Sequence, residues 1–135
     1  MKITKKQLKE DSHKGEWVYF HEKDNKNQEY RGLCVDEVVE ISGDYAHRLQ
    51  KIIWCQEYDT KNKRWVNWNK YYWHIGIRAC YWVITKKRNS IGFGQYCMNS
   101  DQKLVGLLFK RANKKGFFKP MSYFQMKKEV SRFDI

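Results

Sequence analysis

Proline is nearly missing from this chain, closely spaced cysteines are missing altogether, and no long apolar run occurs. Pro120 is the one proline among 135 residues, which leaves no proline-rich linker and no polyproline segment. The four cysteines, Cys34, Cys55, Cys80 and Cys97, contain no C-x-x-C spacing, whereas a structural zinc site takes its ligands in close pairs. His13, His21, His47 and His74 do not stand at ligand spacing from them either. The expectation is four reduced thiols and no metal. No segment approaches the roughly 18 apolar residues of a transmembrane helix. The opening MKITKKQLKEDSHK lacks the apolar core of a secretory signal. These absences predict no membrane partner and a cytoplasmic location, the host cytoplasm for a phage-encoded chain.

Catalytic and cofactor signatures are also wanting. Gly92-x-Gly94 lacks the third glycine and the immediate helix of a phosphate loop, so no cofactor is expected and the pair reads as a bulge or a close backbone approach. No Ser, Cys or carboxylate stands at a telling distance from His47 or His74, the two candidate general bases. One faint metal-nuclease pattern exists. Asp44 precedes a strand that runs into Glu57-Tyr58-Asp59-Thr60-Lys61, where an acidic-x-Lys triplet could hold Mg²⁺ and orient a water. The same residues also make an ordinary polar hairpin loop.

Acidic residues are scarce in one part only. Residues 1–45 hold 8 Lys+Arg and 10 Asp+Glu, and residues 46–135 hold 19 and 5, so the net charge of +12 lies entirely in the second part. A field this uneven points to an anionic partner. The competing reading is compositional: a chain rich in Lys, Asn and Ile suits an AT-rich genome and needs charge for solubility.

What the chain has in abundance is rings. Segment 54–82 reads WCQEYDTKNKRWVNWNKYYWHIGIRACYW, Trp and Tyr interleaved with Lys and Arg. Basic residues beside exposed rings describe a nucleic-acid or nucleotide surface, with charge holding phosphate and a ring stacking a base. Aromatics make up 16% of the chain and apolar residues 41%, too many for disorder.

Local patterns predict the elements. Thr4 with Gln7 is a capping box opening a short helix over 5–11. Residues 17–20 have strand composition, and 22–28 form a polar loop. Leu33, Val35, Val39 and Ile41 share one parity over 31–41, with Glu37 as the exception, which predicts a half-buried strand. Strands follow over 48–58 and 65–69 around the loop 59–63, then a long one over 71–83. There the odd positions, Tyr71 to Val83, form an apolar face. The even positions carry Tyr72, His74, Arg78 and Trp82, with Gly76 as the place to bend. A basic turn, Lys86, Lys87 and Arg88, leads to a strand over 91–98. Asn99 or Ser100, with Asp101, caps a helix ended by Lys114-Lys115-Gly116. Ser122 with Gln125 opens the last helix, to Arg132. The fold expectation is one α+β domain over 1–135. It has an antiparallel sheet of about five to seven strands, a short N-terminal helix and two C-terminal helices.

The candidate binding residues are Arg64, Trp68, Tyr72, His74, Arg78, Trp82, Lys86, Lys87 and Arg88. They predict a non-enzymatic accessory protein of phage or mobile-element type. Its partner is nucleic acid, or a complex that processes nucleic acid such as a host-defence assembly. Two alternatives use the same segment: sequestration of a nucleotide-like small molecule in a ring-lined pocket, and a small metal-dependent nuclease.

Overall fold

The computed structural model describes residues 2–22, 28–95 and 102–133. The elements in order are α1 (Lys5–Glu10), β1 (Trp17–His21), β2 (Glu29–Ser42), β3 (Tyr45–Asp59), β4 (Arg64–Asn67), β5 (His74–Thr85), β6 (Ser90–Gln95), α2 (Gln102–Lys114) and α3 (Tyr123–Ser131). The six strands form an antiparallel sheet in the order β1-β2-β3-β5-β6, and β4 pairs with the last four residues of β3. The architecture is α+β, with the short N-terminal helix and the two C-terminal helices that the patterns predict. The expected cap at Asn99 or Ser100 with Asp101, the end of the strand over 91–98, and Cys97 lie outside the described residues, as does most of the loop over 22–28.

Both capping boxes form. The Thr4 hydroxyl accepts from Gln7 N at 3.2 Å while Gln7 Oε1 accepts from Thr4 N at 2.8 Å, and Ser122 and Gln125 repeat the arrangement. Each box satisfies amides that a first helical turn leaves free. At the end of α2, Gly116 adopts φ +80° and Phe117 N donates to Ala112 O at 3.0 Å. That bond closes the helix and drops the Phe117 ring against Leu108 and Ala112.

Contacts group the chain into two units. Unit one holds residues 1–13, 37–50 and 77–119, and unit two holds 14–36, 51–76 and 120–135. In unit one, α2 lays Leu108 and Ala112 on Val38 and Leu49, with Ala79 beside them. The other parity of these strands meets α1 instead, where Leu8 packs with Ala46, Cys80 and Trp82. A polar cluster is sealed on that same side. Glu37 Oε1 accepts from Arg48 Nη1 at 2.8 Å and from His13 N at 3.1 Å, and Glu37 Oε2 accepts from Gln50 Nε2 at 3.1 Å. Arg48 is 1% exposed and donates through Nη2 to Leu8 O at 2.8 Å, which ties α1 down. In unit two, α3 covers one strand face through Met126 and Val130, packed on Leu33, Val35, Ile53, Cys55 and Trp73. The opposite parity carries Val18, Cys34, Ile52 and Trp54.

The expected two faces of 71–83 are corrected by this arrangement. β5 starts at His74, not at 71. The Asn69 side chain accepts from Tyr71 N at 3.1 Å and its backbone carbonyl accepts from Tyr72 N at 2.9 Å. Residues 70–72 are therefore a turn, and Tyr71, expected in the core, is 81% exposed. Further along, Cys80 and Trp82 of the even set are buried under α1, while Ile77 of the odd set is 38% exposed. Ile75 joins the cluster under α3 and Ala79 the one under α2, but Ile77 joins neither.

Cys34, Cys55 and Cys80 are buried free thiols. Burial pushes the Cys55 and Cys80 thiols up to about 12, against an opposing pull from Arg31 and Arg78 respectively. The thiolate is the nucleophile, so native protein at pH 8 should leave both cysteines unalkylated by iodoacetamide. Denatured protein should react at both. Peptide mapping reads the difference, and rapid native labelling of Cys55 or Cys80 would contradict their burial.

Candidate functional site

Unit two carries a cleft of about 990 Å³ whose lining is dominated by rings. Its floor is Trp54, on β3 between β2 and β5. A Cβ built on Gly32 of β2 would stand 2.9 Å from Trp54 Cδ2, and one built on Gly76 of β5 would stand 2.6 Å from Trp54 Nε1. Two glycines on flanking strands thus clear the space that the indole occupies. A side chain at either position would force the ring to tilt or shift.

Rings also form the walls. Phe20 and Tyr30 are register partners across β1 and β2, and their rings stack at 6.3 Å. Trp68 tilts against Tyr30 at 5.4 Å, stacks on His74 at 5.8 Å and meets Tyr72 edge-on at 6.5 Å. Trp73 anchors this wall from below, because its buried indole donates to Trp68 O at 3.2 Å. His74 Nδ1 lies 2.8 Å from Tyr72 O, which in the neutral ring places the proton on Nδ1 and leaves Nε2 as an acceptor. Glu57 and Asn69 supply the remaining polar groups of the cleft.

The predicted residues divide between the two units. Trp68, Tyr72 and His74 come together in the cleft. Arg64 is exposed at the start of β4, opposite Asp59. In unit one, Arg78 turns Nε and Nη2 onto Gln50 Oε1 at 2.9 and 2.6 Å. Trp82 is buried, with His13 stacked on it at 3.9 Å and Phe93 tilted against it at 5.1 Å. Lys86, Lys87 and Arg88 are exposed in the β5–β6 turn, and Lys86 Nζ lies 3.5 Å from Asp44. Phe20, Tyr30, Trp54, Glu57, Asn69 and Tyr71 also line the cleft and were not among the predicted residues. Trp54 heads the ring-rich segment. Only strand register could have revealed the glycines on both sides of it.

Two other features of the segment find structural roles. Trp65 is engaged within unit two: the Arg31 guanidinium sits 3.9 Å from the Trp17 ring and 4.5 Å from the Trp65 ring. The acidic-x-Lys triplet is a hairpin turn in which Asp59 accepts from Lys61 N, Asn62 N and Asn62 Nδ2. Those bonds, the Asn62 side chain first, hold the Asp59 carboxyl below its ordinary range. Among the described residues no group of three or more His, Cys, Asp or Glu side chains is placed to hold a metal ion.

Fold and site together define an α+β protein with an aromatic cleft on the strand face opposite α3. No family model, curated protein or solved structure matches the chain.

Proposed function

We propose that the protein is a non-enzymatic binder of single-stranded nucleic acid that takes an unpaired base into the ring-lined cleft of unit two. The Trp54 indole, which lines the cleft and is seated between two glycines, carries this reading. Stacking one base on a ring is worth about 1–3 kcal/mol. The walls supply further rings for the same base. Exposed basic side chains of the same unit, Lys61, Lys63, Arg64 and Lys70, supply phosphate contacts.

A second reading has one observation of its own. The cleft lies in the unit with the weaker charge: unit two holds 12 Lys+Arg and 9 Asp+Glu, and unit one holds 15 and 6. A concave, ring-lined site without a strong field suits a free nucleotide-like molecule as well as a strand.

Salt dependence separates the two. For strand binding, affinity for a single-stranded oligonucleotide falls steeply from low to physiological salt, with a log–log slope of about 0.7 per phosphate neutralised. Changing Lys61, Lys63 and Arg64 together to Ala lowers that slope by up to about two units, while affinity for a free nucleoside stays indifferent to salt. Oligonucleotide binding no tighter than nucleoside binding at any salt favours the small-molecule reading. Failure of both ligands to bind at millimolar concentration removes both readings.

A further inference from the structure

Glu57 is the unusual group of the cleft. Its side chain is half-buried, and its carboxylate makes no hydrogen bond or ion pair among the described residues. Other acidic side chains of unit two are engaged: Asp36 by Lys14, Glu29 by His21, Glu22 by the Tyr30 hydroxyl, Asp59 by Asn62 and Glu129 by Arg132. A carboxylate set among six rings without a partner has lost part of its water and gained no donor in return. Asn69 is complementary. Its Oδ1 is spent on Tyr71 N, which turns the amide and leaves the Nδ2 donor without a partner among the described residues.

We propose that Glu57 and Asn69 make the cleft selective for guanine, an inference that rests on the base-binding reading above. A carboxylate presents two acceptors side by side and is satisfied by two parallel N–H donors. Guanine carries such a pair on one edge, N1–H beside the exocyclic amino group. Adenine, cytosine and uracil do not. Guanine also carries the O6 and N7 acceptors that suit the Asn69 amide. A guanine lying on Trp54 would turn its donor edge to Glu57 and its acceptor edge to the Asn69 amide.

The test is calorimetric titration of the protein with guanosine, inosine, adenosine, cytidine and uridine, nucleosides that carry no phosphate. Guanosine should bind on the order of ten- to a hundredfold tighter than adenosine, cytidine or uridine, the usual discrimination of a bidentate contact. Inosine keeps N1–H and loses the amino group, so it should fall between them. Glu57→Gln replaces one acceptor by a donor and should erase the guanosine preference, bringing guanosine to within a few-fold of adenosine measured on the same variant. A thermal melt of the variant establishes that it is folded, and the inosine comparison needs no variant. Equal affinities for all five nucleosides, or a preference for a base other than guanine, would overturn the selectivity and leave the base site standing. Binding of none of them would overturn both.

Discussion

Glu37→Ala should destabilise the protein by about 3–5 kcal/mol, the cost of leaving one partner of a buried ion pair alone. Three donors converge on this carboxylate: Arg48 Nη1, His13 N and Gln50 Nε2. Removal of the carboxylate takes the counter-charge from a guanidinium that is 1% exposed and this acceptor from a backbone amide and a side-chain amide. The loss is a large share of the roughly 5–15 kcal/mol that holds a domain together, and it should lower Tm by on the order of 10–20 °C. Glu37→Gln keeps acceptor oxygen and side-chain volume and should cost less. Urea unfolding followed by circular dichroism measures both. A Glu37→Ala cost under about 1 kcal/mol would mean that the cluster under α1 is open to water.

Gly76→Ala should abolish most ligand binding while the protein stays folded. The added Cβ would meet Trp54 Nε1 at 2.6 Å, and the half-buried indole must shift from its place. Loss of one base–ring stack corresponds to roughly five- to 150-fold in affinity. Gly32→Ala should be harsher on stability, because its Cβ would also meet Ile52 Cγ2 at 2.6 Å and the Ile53 carbonyl oxygen at 3.0 Å. A carbonyl in a strand cannot swing aside as a side chain can. Trp54→Ala removes the floor itself and should match Gly76→Ala in binding. If Gly76→Ala binds like the native protein, the Trp54 indole is not the binding surface.

Local rules account for most of the elements. The capping boxes at Thr4 and Ser122 and the Gly116 stop are chemistry between residues within a few positions of one another, and each formed where the residue types demand it. What lay beyond reach was which side of a strand gets covered. Alternation along β5 describes two faces, but the choice between them is made by α1, α2 and α3, which lie far away in sequence. So Cys80 and Trp82 went under α1 and Ile77 came out. Glu37 broke the parity of an apolar strand, a sign that something polar was being buried. Its partners Arg48 and Gln50 carry no such sign in the sequence, because only burial distinguishes a paired arginine from a solvated one. The site was half legible. Trp68, Tyr72 and His74 belong to the ring-rich segment and line the cleft. Arg78 and Lys86, also predicted, instead engage Gln50 and Asp44 in unit one. Phe20 and Tyr30 reach the cleft by strand pairing across a loop, and the Asn69 turn that exposes Tyr71 and Tyr72 is a side-chain effect that alternation does not register.

The most direct measurement is an isotope-filtered nuclear Overhauser experiment on the uniformly labelled protein with unlabelled guanosine bound. Contacts are expected from the base H8 and ribose H1′ protons to the indole protons of Trp54, with further contacts to Trp68 or Tyr72. Contacts confined to residues of unit one, or none to any ring of the cleft under saturating ligand, would contradict it.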